Sequence, residues 1–143
     1  MNRKYIVFIF MSLVTAQGFA AELPDWLIGT WKSNEKMTLS SMNSTAGITE
    51  DAKEIFNNGF FGKLITIYSG RNSLTYYFDE AASAKEYFDL LDIDADDTTV
   101  TFRYFNEAFK DDLTTTIHRD ESCFYILVSK WRFREYFCPH ILE

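Results

Sequence analysis

Leu27-Ile28-Gly29-Thr30-Trp31-Lys32 opens the folded part of this chain, and Arg134-Glu135-Tyr136-Phe137 stands just short of its end at Glu143. A glycine-x-tryptophan entering a first strand, answered by an arginine-bearing aromatic strand at the finish, suits a small up-and-down β-barrel that closes on itself. Between the two stretches, runs rich in β-branched and aromatic residues alternate with turn signals. They cover Thr30 to Ser40, Leu64 to Tyr68, Ser73 to Phe78, Glu86 to Asp94, Thr98 to Phe105, Leu113 to His118, Phe124 to Ser129 and Phe133 to Phe137. The expected fold is therefore all-β, an up-and-down antiparallel β-barrel of about eight strands, which leaves no exposed edge.

One segment breaks the β rhythm. Thr49 can cap a helix over Glu50 to Asn58, with Glu50 and Asp51 in its first turn and Gly59 as its stop. Ala52, Ile55 and Phe56 give it an apolar stripe at helical spacing. One short helix after the first strand would lie across a barrel mouth. It would serve either as a lid or as a plug whose Ile55, Phe56, Phe60 and Phe61 complete the core. Ala81, Ala84, Phe88 and Leu91 also fit a helix face. The 81–92 segment is read instead as a loop and then a strand, because Tyr87-Phe88 and Leu90-Leu91 lead directly into the hairpin-like stretch from Asp92 to Thr98, with its acidic turn Ala95-Asp96-Asp97.

The first twenty residues have the layout of a secretory signal. Asn2-Arg3-Lys4 is basic, Tyr5 to Val14 is apolar, and Gly18 and Ala20 are small residues before a cut at Ala21. The apolar run is half of the roughly 20 residues needed to span a bilayer. The expectation is a signal peptide over 1–20, a single domain over 21–143, and a periplasmic or secreted protein with no integral membrane association. Removing Arg3 and Lys4 takes the formal net charge from −7 to −9. Such a surface is repelled by phosphate backbones and anionic lipid, so no nucleic acid is expected as a partner.

Cys123 and Cys138 are the two cysteines, and in an oxidising compartment an even count reads as one disulfide. Pairing them across a hairpin sets a register in which Phe124 faces Phe137, Tyr125 faces Tyr136, Leu127 faces Arg134 and Val128 faces Phe133. Phe124, Ile126, Val128, Phe133 and Phe137 then share one face with Glu135, and this greasier face is expected inside. Glu135 would be an inward acid in need of a partner or a ligand. Arg134 and Tyr136 would point outward.

Catalytic and metal chemistry find little footing. His118 and His140 are the only histidines, neither in a nucleophile arrangement, and no Gly-x-Ser-x-Gly elbow occurs. Asp92-x-Asp94-x-Asp96 opens like a calcium loop, but Asp97 stands where glycine is needed and Arg103 where the bidentate glutamate belongs. No enzyme activity, cofactor or metal is expected.

The Leu27-to-Lys32 stretch resembles the first-strand motif of the calycin superfamily, the lipocalins and fatty-acid-binding proteins, and Arg134 to Phe137 resembles the closing strand of bacterial lipocalin-like domains. The resemblance covers both ends of the chain by short motifs. It implies that Gly29 and Trp31 close one barrel end while Arg132 or Arg134, with Tyr136, braces the indole through a cation–π contact. In the fatty-acid-binding branch a terminal Arg-x-Tyr receives the ligand carboxylate, and Arg134-x-Tyr136 matches it. One helix in place of a pair, and eight strands in place of ten, depart from that branch.

Beyond residue 20 the chain carries 21 aromatic residues, enough to line an apolar cavity or to fill a small barrel outright. Two functions follow as expectations. The first is a carrier or sensor of a small hydrophobic ligand, a lipid or fatty acid, contacted by Trp31, Phe56, Phe60, Phe61, Tyr76, Phe102, Phe133 and Glu135. The second is a filled barrel that binds a protein partner, such as a cationic hydrolase of the lysozyme kind. The net charge, the acidic run from Asp79 to Asp97 and the Tyr68-Ser69-Gly70 turn, which faintly resembles bacterial lysozyme inhibitors, motivate it. Oligomeric state is left open by the sequence.

Overall fold

A computed structural model of the chain describes residues 21–78, 84–128 and 130–141. The expected signal peptide, residues 79–83 of the acidic run, and Ser129 lie outside them. In chain order the elements are β1 (Gly29–Ser33), α1 (Glu35–Ser44), α2 (Glu50–Asn57), β2 (Leu64–Ser69), β3 (Asn72–Tyr77), β4 (Glu86–Asp89), β5 (Leu91–Ala95), β6 (Thr99–Asn106), β7 (Asp111–Asp120), β8 (Cys123–Leu127) and β9 (Arg134–Pro139). The strands are antiparallel and make one sheet in the order β4-β3-β2-β1-β9-β8-β7-β6-β5, rolled into a nearly closed barrel.

The ends of the chain close it. β1 pairs with β9, Trp31 opposite Pro139 and Ser33 opposite Phe137. The last hairpin has the expected register: Phe124 faces Phe137, Tyr125 faces Tyr136 and Leu127 faces Arg134. Cys123 and Cys138 are joined in a disulfide across it. Phe124, Phe133 and Phe137 are buried, so the greasier face does turn inward.

Two boundaries differ from expectation. The first strand stops at Ser33 instead of running to Ser40, and α1 takes its place, so the barrel carries two helices after β1. Asn34 is the cause. Its side chain accepts the Met37 N–H at 3.0 Å, and Glu35 complements the helix dipole in the first turn. The helix then does the work of a neighbouring strand. The Thr38 hydroxyl accepts the Tyr136 N–H at 3.0 Å, and the Ser41 hydroxyl accepts the Arg134 N–H at 2.9 Å. Backbone donors of β9 that β1 no longer reaches are thus satisfied.

The second difference concerns strand count. The expected strand from Glu86 to Asp94 divides at Leu90, giving nine strands among the described residues. β4 pairs with β3, whereas β5 pairs with β6. At the corner Leu90 is buried and donates its N–H to the Arg71 carbonyl at 2.8 Å, and Asp92 takes a left-handed φ of 51°. One stretch of chain therefore serves both sheet edges. No ladder joins β4 to β6, so a slot is left in the wall above the corner.

α2 forms as its sequence suggests. The Thr49 hydroxyl accepts the Ala52 N–H at 3.3 Å, and Gly59 ends the run with a φ of 76°. Two cores result. Leu27, Trp31, Ile93, Val100 and Ile117 pack within one cluster, towards the barrel base. Met42, Ile48, Phe56, Phe61 and Phe133 pack beneath the helices.

Two predictions test this construction. Thr38→Val keeps the side-chain shape but strands the buried Tyr136 N–H, and is expected to lower the unfolding free energy by about 2 kcal/mol. Urea denaturation checks this, and a change under about 0.5 kcal/mol would remove the helix from edge protection. Replacing both cysteines by serine opens a closure spanning 15 residues. The expected loss is about 3 kcal/mol, read as a lower urea midpoint that the oxidised wild type does not share.

Candidate functional site

Beside the first core, whose Tyr68, Phe102, Phe124 and Phe137 contribute to its wall, the barrel holds a cavity of about 300 Å³. Its lining follows the period-two rule of strands. Leu64, Thr66 and Tyr68 come from β2, Ser73, Thr75 and Tyr77 from β3, and Phe102, Tyr104 and Asn106 from β6. Phe124, Ile126 and Phe137 floor it from β8 and β9, and Phe88 enters from β4. Aromatic rings meet edge to face around it: Phe88 with Tyr104 at 4.9 Å, and Tyr68 with both Phe102 and Phe124 at 6.1 Å.

Hydroxyls punctuate this apolar wall. Thr66 and Thr75 hydrogen-bond across the β2–β3 pair at 3.3 Å. Tyr68 is only 8% exposed. Burial, and then the neighbouring Tyr104 phenol, push its ionisation above the usual tyrosine range.

The cavity meets the slot. A cleft of about 480 Å³ runs between β4 and the β6–β7 turn, and it shares Glu86, Phe88 and Asn106 with the cavity. Its rim carries Tyr87 and Phe105, both exposed, with the acids Glu86, Asp89 and Glu107. No lysine, arginine or histidine is among the described residues lining cavity or cleft. Lys85 is exposed, its Nζ 5.6 Å from the Tyr76 ring centre.

Of the residues expected to touch a ligand, Tyr76 and Phe102 line the cavity. Trp31 packs edge-on to Phe124 at 5.0 Å and donates its indole N–H to the Leu27 carbonyl at 2.8 Å. Phe56, Phe61 and Phe133 stack together under the helices, with Phe56 5.4 Å from Phe61 and 5.5 Å from Phe133. Phe60 and Ile55 are exposed. α2 supplies no lining residue, so its buried face completes a core and does not roof the cavity.

The expected brace on Trp31 is corrected. Arg132 sits exposed in the β8–β9 turn with a φ of 59°. Arg134 lies over the Tyr125 ring at 4.4 Å and donates to the Tyr136 hydroxyl at 3.2 Å. Both Arg134 and Tyr136 belong to the outer face, as the disulfide register requires, so neither offers a carboxylate receptor inside. The cations over tryptophans are Lys130, 5.1 Å from the Trp131 ring, and Arg119 of β7, 5.6 Å from the Trp26 ring, whose indole donates to the Asp96 carbonyl at 3.3 Å. Gly29 enters β1 with a φ of 140°.

Sequence reasoning missed Tyr68, Tyr104, Thr66 and Thr75. In β2 the apolar alternation favours Ile65 and Ile67, yet Thr66 and Tyr68 face the cavity. A signal did exist: Thr66-x-Tyr68 and Phe102-x-Tyr104 put hydroxyls and rings together on alternate positions.

Glu135 sits between cavity and upper core. On the inner face of β9 it lies opposite Ile126, which lines the cavity, with Phe133 and Phe137 on either side along the strand. Its Oε1 accepts from the Ser33 hydroxyl at 3.1 Å, and that hydroxyl accepts the Gly62 N–H at 3.1 Å. Burial pushes its carboxyl up to about 7, against a smaller opposing pull from the Ser33 bond.

No family model, curated protein or solved structure matches this chain. Among the described residues no helix is long and apolar enough to cross a membrane.

The Glu135 proton gives a signed prediction. The folded state keeps it to about pH 7, whereas an ordinary glutamate releases it near 4.5. Between these values the folded state binds more protons, so this group's contribution to stability falls as pH rises. The full swing is about 3 kcal/mol. Glu135→Gln should therefore gain stability over wild type at pH 8 more than at pH 5, by about 2–3 kcal/mol in paired urea titrations. An equal difference at both pH values would refute the protonated assignment.

Proposed function

We propose that this chain is a binding protein for one small hydrophobic molecule, held in the barrel cavity, and that it works as a carrier or sensor without chemistry of its own. The observation that carries the reading is the aromatic cavity of about 300 Å³, adjoined by a lateral cleft that shares Glu86, Phe88 and Asn106 with it. That volume stands at the small end of ligand pockets, which run from about 300 to 1,000 Å³. Apolar walls with a few placed hydroxyls are the usual composition of such a site.

Kinship with the calycin superfamily and a place outside the cytoplasm are parts of the same proposal. The helix pair between β1 and β2 supports the first, because it lifts one of the two departures from the fatty-acid-binding branch; nine strands still fall short of ten. The disulfide supports the second, since such bonds persist in oxidising compartments.

A second reading, a module that docks a cationic protein, is favoured by the cleft rim. Tyr87 is 74% exposed there beside acids, and Phe109 is 73% exposed just past it. Tyr68 lends no help, because it is buried and not presented by its turn.

Native mass spectrometry of the purified protein separates the two. A co-purifying small molecule, or an adduct formed with an added hydrophobic probe, is the expected result. An unliganded mass that ignores such probes and shifts on addition of lysozyme would replace the first reading with the second.

A further inference from the structure

The Tyr68 hydroxyl makes no hydrogen bond to any described residue, although its side chain is among the most enclosed polar groups of the barrel. Among the described residues every sealed side-chain nitrogen or oxygen has a partner. The Tyr68 hydroxyl must therefore border open space, and the space it borders is the cavity, whose lining includes it. A phenol in that position can donate to whatever fills the cavity. Tyr104 is the nearest phenol electrostatically, lines the same cavity, and likewise makes no hydrogen bond to a described residue. Two phenol donors thus converge on one void.

The charge of what fills that void is restricted. An anion drawn inside needs a cation or several donors to replace its hydration. No cationic side chain is among the described lining residues, and the cleft leading in is rimmed by Glu86, Asp89 and Glu107. Arg134 and Tyr136, the pair that resembles a carboxylate receptor, lie on the other side of the wall. An organic cation is disfavoured in turn, because the only carboxylate among the described lining residues, Glu86, is exposed at the mouth. The other described residues of the β2, β3 and β8 walls offer rings, aliphatic groups and hydroxyls.

Resting on the binding function proposed above, we infer that the cavity takes an uncharged, ring-containing molecule whose carbonyl, ether or hydroxyl oxygen is received by Tyr68 and Tyr104. A carboxylate lipid is therefore not its ligand. Phe88, Phe102 and Phe124 supply the ring contacts, and the Thr66–Thr75 hydroxyl pair lies on the same wall.

Four matched probes test this by equilibrium dialysis at pH 8: 2-acetylnaphthalene, 2-ethylnaphthalene, 2-naphthoate and 2-(aminomethyl)naphthalene. The ketone is expected to bind about tenfold tighter than the hydrocarbon, the difference made by one buried hydrogen bond. It should also bind about tenfold or more tighter than either ion. In Tyr68→Phe, with folding checked by near-ultraviolet circular dichroism, the ketone should lose its advantage over the hydrocarbon. A hydrocarbon as tight as the ketone overturns the polar recognition, and an ion as tight as the ketone overturns the neutrality. A ketone preference that persists in Tyr68→Phe overturns the role of Tyr68. Each of these leaves the binding function standing, whereas failure of all four probes removes both. The wild-type comparison decides neutrality even if the variant does not fold.

Discussion

The pairing of β1 with β9 is the constraint on which the rest of this barrel depends. Only a few residue pairs join the strands, from Trp31–Pro139 to Ser33–Phe137. Without them the sheet would have two free edges in its middle, and the interior would be an open face. The junction is reinforced from both sides. α1 extends it upward by offering hydroxyls to β9 donors, and the disulfide ties β9 back to β8. A short ladder thus gains the effect of a longer one, at the price of placing a helix where a strand was expected.

Closure at that seam explains how the interior is divided. Below, Leu27, Trp31, Val100 and Ile117 fill the space between strands, as side chains can in a small barrel. Above, the helix pair brings Met42, Phe56 and Phe61 down onto Phe133. The cavity adjoins the first of these cores, where alternating residues of β2, β3 and β6 are mostly hydroxyl-bearing or aromatic rather than aliphatic. Glu135 belongs to the partition between cavity and upper core. Its raised carboxyl is the electrostatic consequence of standing on the apolar face of β9 with a single hydroxyl donor.

How much of this was legible follows from which forces act locally. The final hairpin was readable because two cysteines and a period-two pattern independently demand one register. α2 was readable because Thr49, its acidic first turn and Gly59 all act within the segment itself. α1 was not, since Trp31-x-Ser33 and Met37-x-Leu39 alternate like a strand and the decisive cap is one asparagine. The corner at Leu90 was hidden for another reason: its bend is set by two different sheet edges, which no local pattern records. The site suffered most. Hydrophobic alternation locates a packed interior, and a cavity wall carrying Thr66, Tyr68 and Thr75 is not one.

That shared strand has a mechanical meaning. Because β4 and β5 are continuous through Leu90 but belong to opposite edges, the wall behaves like a zipper fastened at the bottom and undone above. No ladder hydrogen bond joins β4 to β6, although each is fully laddered to its own neighbour. What closes that seam is side-chain packing, Phe88 against Tyr104 at 4.9 Å, with no directional backbone bond to hold it.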